Sequence, residues 1–198
     1  MNIQKKTIKG KKDILNKNII FVIGGCRSGK SSFALDQANR IKGKNKYFIA
    51  TSVPMDSEME KRVESHQKER GEDWITIEEP IMIHEKINQY SPKAGVILVD
   101  CLTLWLSNLL FHSYNPAQID TAIMHLEACL EQCECPVFLV SNEVGCGIVS
   151  ENKLARQFRD FAGFVNQRMA KVAHTVVMTI AGIDVQIKPG NGAFSIRH

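Results

Sequence analysis

A glycine-rich segment that ends in a lysine and a serine carries the clearest chemical pattern in the sequence. Gly24 and Gly29 enclose four residues, and Lys30 and Ser31 follow at once, which is the spacing of a phosphate-binding loop. Glycines let backbone N–H groups approach phosphate oxygens, because no Cβ stands between them. Lys30 can reach the β- and γ-phosphates of a nucleoside triphosphate, and the Ser31 hydroxyl is placed to ligate Mg²⁺. The other residues of this predicted nucleotide-binding loop are Gly25, Cys26, Arg27 and Ser28.

The elements on both sides of the loop fit the motif. An apolar run predicts a strand over about Asn18–Ile23, and a helix is predicted from Ser31 to about Ile41, where Gly43 stops it. The partly positive N-terminus of that helix would point at the same anion as the loop. A glycine-rich turn between two core elements is the alternative, but the order of strand, loop and helix favours a phosphate site.

A polar helix is predicted from Asp56 or Ser57 to about Arg70. Arg62, His66 and Arg70 follow one another at intervals of four residues, so their side chains share one side of that helix. Two guanidinium groups beside an imidazole make an attractive surface for phosphate. A solvated charged helix with an inactive histidine explains the same spacing, and the spacing alone favours this second interpretation.

Two further strands are predicted to end in polar residues. The strand Tyr47–Ala50 leads to Thr51 and Ser52, and a buried strand from Val96 ends at Asp100. Parallel sheets bind ligands at the carboxyl ends of their strands. In a phosphate-loop fold, an aspartate in the place of Asp100 holds the water shell of Mg²⁺. Asp100 could equally cap the next helix, and the two roles are compatible.

Strands and helices alternate through the rest of the chain, which predicts an α/β fold with one mostly parallel sheet flanked by helices. Two short strands near the C-terminus are expected to pair antiparallel at one edge. The further predicted strands are Trp74–Ile77, Pro136–Val140, Thr175–Ile180 and Val185–Lys188. The further helices are one after Pro80 that runs to about Gln89, Leu102–Phe111, one from Asn115-Pro116, and Glu151–Ala173. The last helix has a predicted buried stripe of Leu154, Phe158, Phe161, Val165 and Met169.

The composition is that of an ordinary globular domain, with 198 residues, 44% of them hydrophobic and 23% charged. The net charge is +4, but residues 1–17 contain six lysines and one aspartate, which is +5, so the remainder is about −1. The basic segment favours a solvated tail over a nucleic-acid or membrane partner. We therefore predict a disordered extension at 1–17, one catalytic domain at 18–188 and a tail at 189–198.

The sequence contains six cysteines and neither a secretion signal nor an apolar run long enough for a membrane span. The cysteines therefore indicate reduced thiols in a cytoplasmic protein. His125, Cys129 and Cys133 share a helix face, and Cys135 is close by in the sequence. Their spacing matches no zinc-binding pattern, so a metal site there is the less favoured interpretation.

Several motifs together resemble one enzyme family, the bifunctional adenosylcobinamide kinase / adenosylcobinamide-phosphate guanylyltransferases of cobalamin biosynthesis. The similarity covers about residues 18–188. The motifs are Gly24–Ser31, Ala50-Thr51-Ser52, Asp56 to His66, Asp100-Cys101-Leu102-Thr103, and the two most specific segments, Asn142–Val149 and Phe158–Gln167.

The resemblance implies a RecA-like domain, a homotrimer and two reactions. The first phosphorylates adenosylcobinamide with ATP or GTP, and the second transfers GMP from GTP to adenosylcobinamide phosphate and releases pyrophosphate. In the family the second reaction passes through a guanylylated histidine, and His66 is the matching residue. The resemblance further assigns to the GTP site Thr51, Ser52, Val53, Gln67, Lys68, Glu69, Arg70, Glu78 and Asp100, of which Glu78 is ambiguous because Glu79 is adjacent.

Two other functions remain open from the residues alone. A phosphate-loop kinase of another small alcohol would need no covalent histidine. A RecA-type module that assembles on nucleic acid would use the basic tail, but the near-neutral remainder of the chain disfavours a nucleic-acid partner.

Overall fold

The computed structural model describes residues 18–42, 45–53, 71 and 73–189. The seven strands within these ranges are β1 (Ile19–Gly24), β2 (Asn45–Ala50), β3 (Trp74–Glu78), β4 (Ala94–Asp100), β5 (Val137–Asn142), β6 (Thr175–Ile180) and β7 (Ile183–Lys188). The helices are α1 (Lys30–Asn39), α2 (Ile83–Tyr90), α3 (Leu102–Phe111), α4 (Pro116–Gln132) and α5 (Lys153–Val172). The predicted polar helix that ends at Arg70 lies outside the described residues.

The strands form one sheet in the order β3-β2-β4-β5-β1-β6-β7. All neighbouring pairs are parallel except β6 and β7, which are antiparallel at the sheet edge. The predicted α/β fold with an antiparallel edge near the C-terminus is thereby confirmed. Strand β5 lies between β1 and β4, so it separates the strand before the phosphate loop from the strand that ends at Asp100.

Successive residues of the central strands point to opposite faces of the sheet. Phe21 and Leu139 pack in a core with α2 to α5, whereas Val22, Phe138 and Leu98 pack on the other face with α1. Both faces of these strands are buried, which explains why their sequences are continuously apolar instead of alternating.

Two helices, α4 and α5, begin at asparagine caps, of which the sequence analysis predicted the first. Asn115 and Gln118 form a reciprocal capping box at the start of α4, and Pro116 occupies the first turn. The Asn152 side chain accepts a hydrogen bond from the Ala155 N–H at 3.1 Å and so fixes the start of α5.

Several predicted boundaries differ from the structure by two residues. Helix α1 ends at Asn39, and α5 begins at Lys153 instead of Glu151. Leu154 was wrongly placed in the buried stripe of α5, since its side chain is 61% exposed. It lies in the first turn of the helix, beyond the edge of the sheet core. No helix in the described part of the chain combines the length and apolar character that crossing a membrane requires.

Candidate functional site

The phosphate-binding loop joins the end of β1 to the start of α1. The Ser28 N–H donates to the Gly25 carbonyl at 3.3 Å and the Phe33 N–H to the Gly29 carbonyl at 2.9 Å. The Lys30 side chain is buried, and its Nζ donates to the Gly25 carbonyl at 3.1 Å. The ammonium group therefore lies over the loop, where an arriving phosphate can replace the carbonyl as its partner.

Gly24 packs too tightly for any side chain. A Cβ at this position would lie 2.4 Å from both Ser28 Oγ and Thr179 Oγ1. Those two hydroxyls are hydrogen-bonded to each other at 2.7 Å in a buried contact. Strand β6 therefore holds the loop through Thr179, a residue that the sequence analysis did not place in the site. Thr179 is one of two threonines in a strand that is otherwise apolar, and nothing in the sequence signals its role.

The turn between β6 and β7 supports the loop from the same side. Ala181 and Gly182 both have positive φ, 52° and 81°, as a tight hairpin turn requires. The Gly182 N–H donates to the Ser28 carbonyl at 3.0 Å. Gly29 has φ +96° and faces the Gly182 Cα, so the two glycines let loop and turn approach closely.

Strand register sets the distance between the loop and Asp100. Gly24 pairs with Asn142 on β5, and Asp100 pairs with Val140 on the other side of the same strand. Because adjacent strands are about 4.8 Å apart, β1 and β4 are about 10 Å apart. The half-buried Asp100 carboxylate and the Ser31 hydroxyl are both oxygen donors of the kind that Mg²⁺ prefers. Ser31 and Asp100 are therefore chemically suited to a divalent cation.

Thr51 is buried, and its hydroxyl is hydrogen-bonded to the backbone of Cys101. Thr51 Oγ1 donates to the Cys101 carbonyl at 2.8 Å and accepts from the Cys101 N–H at 2.7 Å. Its carbonyl accepts a hydrogen bond from Asn108 Nδ2 at 2.7 Å. Thr51 thus fixes the end of β2 against the start of α3. Ser52 is half-buried and Val53 is exposed, so these two residues are open to a ligand.

Glu78 and Glu79 differ in what their side chains do. Glu79 Oε1 accepts from the N–H groups of Ile81 and Met82, at 3.1 Å and 2.9 Å, and so holds the turn that precedes α2. Its other oxygen lies 3.9 Å from Lys86 Nζ. Glu78 is exposed at the carboxyl end of β3. This difference favours Glu78 over Glu79 as a ligand-binding carboxylate.

A buried polar network holds the end of β5. Thr103 Oγ1 accepts from the Asn142 N–H at 2.7 Å, and Asn166 Nδ2 donates to the Asn142 carbonyl at 3.2 Å. Ser141 Oγ donates to Asn166 Oδ1 at 2.7 Å. Helices α3 and α5 thereby fix the strand beside the phosphate loop. The motifs around these residues were recognised in the sequence, but their mutual contacts were not.

The segment after β5 turns back onto the start of α5. Arg156 donates to the carbonyls of Ser150 and Glu151 at 2.9 Å and 2.7 Å, and Arg159 donates to the Gly147 carbonyl at 3.3 Å. The two arginines therefore position the glycine-containing segment 144–149. Ile148 is 99% exposed at its tip.

Cys101 follows Asp100 but is not suited to act as a nucleophile. Burial, followed by the negative charge of Asp100, raises the pKa of the Cys101 thiol to about 11. The thiol therefore stays protonated near neutral pH, and the nucleophilic form is the thiolate.

Part of the predicted site lies outside the described residues. This part comprises the candidate nucleophile His66, its neighbour Arg62, and Gln67, Lys68, Glu69 and Arg70. The structure places the loop residues from Gly24 to Ser31, Thr51 to Val53, Glu78 and Asp100 at the carboxyl edge of the sheet. Glu78 is the farthest of them from the loop, since β2, β4 and β5 lie between β3 and β1. The first described residue after the gap, Gly71, has φ +75°.

Comparison with known proteins identifies one family. The profile of the family described as "Cobinamide kinase / cobinamide phosphate guanyltransferase" matches residues 20–187. The bifunctional adenosylcobalamin biosynthesis protein CobU of Escherichia coli is 40% identical over 182 residues, covering 86% of this chain and 99% of that protein. CobP of Pseudomonas aeruginosa is 36% identical, covering 84% and 95% of the two chains. CobU of Salmonella typhimurium is 40% identical, covering 86% and 99%.

The fold is also similar to that of the flagellar accessory protein FlaH from Methanocaldococcus jannaschii. The TM-score is 0.52 at 12% sequence identity, over 92% of this chain and 84% of FlaH. At this level of identity the similarity concerns the fold alone, and it agrees with the RecA-like architecture expected from the sequence.

Proposed function

This chain belongs to the cobinamide kinase / cobinamide phosphate guanyltransferase family, and we propose that it carries out both reactions on adenosylcobinamide with His66 as the covalent nucleophile. Members of the family are kinases and guanylyltransferases. The observation that carries the proposal is the family match over residues 20–187, a range that contains both the phosphate loop and His66.

In the kinase reaction, the aminopropanol hydroxyl of adenosylcobinamide attacks the γ-phosphorus of ATP or GTP. The bond from that phosphorus to the β–γ bridging oxygen breaks, and the hydroxyl proton passes to solvent. Lys30 and the loop N–H groups stabilise the charge that develops on the leaving oxygens. A bound Mg²⁺, held by Ser31 and through water by Asp100, would neutralise further phosphate charge.

In the guanylyl transfer, a neutral His66 nitrogen attacks the α-phosphorus of GTP and displaces pyrophosphate. A phosphate oxygen of adenosylcobinamide phosphate then attacks the same phosphorus, breaks the P–N bond and returns the imidazole to its neutral form. Arg62 and Arg70 flank His66 at helical spacing and would offset the phosphate charge. Ser52, Val53, the segment Gln67–Arg70 and Glu78 would complete the GTP site.

Intact-protein mass measurement after incubation with GTP tests the proposal. We expect a gain of one guanylyl group that maps to His66 and is absent from His66→Gln. The exposed His112 offers a matched control, since His112→Gln should retain the adduct. Labelled pyrophosphate should exchange into GTP without any acceptor, because only an enzyme-bound GMP can take it back.

Two results would contradict the covalent mechanism. One is an adduct that survives His66→Gln. The other is pyrophosphate exchange that depends entirely on added adenosylcobinamide phosphate. Kinase activity without any exchange would instead favour a phosphate-loop kinase of another alcohol.

We also propose that the chain forms a homotrimer in the cytoplasm. Support for self-association comes from the edge strand β7, where Ile183, Val185 and Ile187 are 65%, 47% and 58% exposed. Apolar side chains on an edge strand favour pairing with another chain. Light scattering should give three chains for the protein and fewer for Val185→Lys. Ile75→Lys, at the opposite edge of the sheet, should leave the trimer intact.

A further inference from the structure

Two cysteine thiols lie side by side near the amino end of β5, whereas the phosphate loop lies near its carboxyl end. Cys133 follows the last turn of α4, and Cys135 precedes β5. Their sulfur atoms are 3.8 Å apart, and each residue is 3% exposed. Neither residue takes part in the nucleotide site, which lies at the other end of β5.

The two cysteines line a cavity of about 350 Å³. Glu131 and Lys171 also line it and are exposed, so the cavity opens to solvent between them. His174 is the remaining titratable residue of the lining. Its Nδ1 accepts from the Ile19 N–H at 3.0 Å, which leaves the proton of the neutral ring on Nε2. The volume is sufficient for a small organic molecule beside the thiols.

The two thiols have unequal acidity. The contact with the Cys135 thiol lowers the pKa of Cys133, although burial opposes this effect. The same contact, together with burial, raises the pKa of Cys135. This difference favours Cys133 as the attacking thiol and Cys135 as the second thiol. An acidic thiol beside a second thiol is the arrangement used in thiol–disulfide exchange.

We propose that Cys133 and Cys135 form a dithiol site that reacts with small-molecule disulfides carrying carboxylate groups. The Cys133 thiolate attacks one sulfur of the disulfide, forms a mixed disulfide and releases one thiolate, which takes up a proton. The Cys135 thiol then loses its proton and attacks the Cys133 sulfur, which releases the second half of the molecule as a thiol. The protein is oxidised by two electrons and the small disulfide is reduced to two thiols.

The geometry fits this sequence of steps. The two sulfur atoms are 3.8 Å apart and must approach to about 2.05 Å to form a disulfide. Rotation of the two side chains can supply part of this movement. Lys171 and Glu131 at the rim carry opposite charges and can bind a carboxylate and an ammonium group of the incoming molecule, respectively. Cys129, one turn earlier in α4, is a poorer partner because burial raises its pKa to about 12, and its thiol donates to the His84 carbonyl at 3.3 Å.

Oxidised glutathione is the probe for this site, with a full-length chain in which the exposed Cys26 and Cys146 are replaced by serine. Four cysteines remain, at positions 101, 129, 133 and 135. Alkylation under denaturing conditions counts their free thiols before and after the reaction. A protease that cleaves after glutamate then separates Cys129, Cys133 and Cys135 onto different peptides, because Glu131 and Glu134 lie between them.

The expected result is a fall from four free thiols to two, with no glutathionyl group retained and with the Gln132–Glu134 peptide linked to the peptide that begins at Cys135. Cys135→Ser should retain one glutathionyl group on Cys133, and Cys133→Ser should react about tenfold more slowly. Cys129→Ser should behave as the parent, and Cys101 should remain free throughout.

Any of three results would overturn the proposal. The first is a count that stays at four after an exposure that fully modifies Cys26 and Cys146 in the unaltered chain. The second is a link to Cys129 instead of between Cys133 and Cys135. The third is Cys135→Ser without an adduct. None of these outcomes depends on the proposed enzymatic activity, since no nucleotide or corrinoid is present.

Discussion

The hydroxyl of Ser28 lies 2.7 Å from the hydroxyl of Thr179, and this buried contact fastens the phosphate loop to a strand 151 positions later in the chain. The Gly182 N–H adds a second contact, to the Ser28 carbonyl at 3.0 Å. The shape of the loop is therefore held by β6 and by the β6–β7 turn, as well as by its own glycines.

Thr179→Val should weaken both folding and nucleotide binding. The substitution keeps the shape of the side chain but leaves the Ser28 hydroxyl without its partner, which costs about 1–3 kcal/mol for a buried group. We expect the free energy of unfolding in urea to fall by about that amount, and GTP affinity to fall with it.

Thr175→Val is the matched control for this measurement. Thr175 lies in the same strand and is 1% exposed, and its Oγ1 is buried with no hydrogen-bond partner among the described residues. Removing an unpaired buried hydroxyl should leave stability unchanged or raise it. Equal losses in the two variants would show that the Ser28 contact contributes nothing.

Gly24→Ala should disrupt the loop. The new Cβ would lie 2.5 Å from the Thr179 carbonyl oxygen, a backbone atom that cannot rotate away. We expect GTP affinity to fall by at least about tenfold, measured by titration calorimetry, since the loop must shift to admit the methyl group. Gly163→Ala, on α5 with nothing within 4 Å of its Cβ position, should instead stabilise the protein by about 0.5–1 kcal/mol. A Gly24→Ala variant with unchanged affinity would contradict this account.

The sequence was informative where the constraints are local. Periodic apolar residues predicted the strands and helices, and the loop motif predicted the nucleotide edge of the sheet. The contacts of Thr179 and Asn166 could not be predicted, because each is made across more than twenty residues of chain and depends on strand order. The burial of Leu154 was predicted wrongly for a similar reason. Helical periodicity indicates which face of α5 is apolar, but it does not indicate how far along the helix that face is covered by the core.

The choice between Glu78 and Glu79 also depends on contacts that the sequence does not reveal. The sequence left two adjacent glutamates as candidates, and only the hydrogen bonds from the turn before α2 to Glu79 distinguish them. Glu79→Ala should lower the free energy of unfolding by about 1–2 kcal/mol, because the Ile81 and Met82 N–H groups in the turn before α2 lose their charged acceptor. GTP affinity should be nearly unchanged in this variant.

Glu78→Ala should show the opposite pattern. Its side chain is exposed, so stability should change by less than about 0.5 kcal/mol. GTP affinity should fall by about tenfold if the carboxylate binds the nucleotide. Titration calorimetry and urea unfolding of both variants decide between the two residues, and loss of affinity in Glu79→Ala alone would reverse the assignment.

The pair of histidines between α2 and α4 predicts a loss of stability in mild acid. The His84 and His125 rings are 5.1 Å apart, and His84 Nδ1 is buried with no hydrogen-bond partner in the described part of the chain. Burial, followed by the charge of His125, lowers the pKa of His84 below its usual 6.5, while Glu85 and Glu79 oppose the shift. Below pH 6.5 the unfolded chain therefore binds more protons than the folded one, so the free energy of unfolding falls as the pH is lowered.

His84→Gln should flatten this dependence between about pH 7 and pH 5, and His125→Gln should reduce it only in part, because burial remains. An unchanged slope in His84→Gln, measured by urea unfolding across that range, would assign the acid sensitivity to other groups.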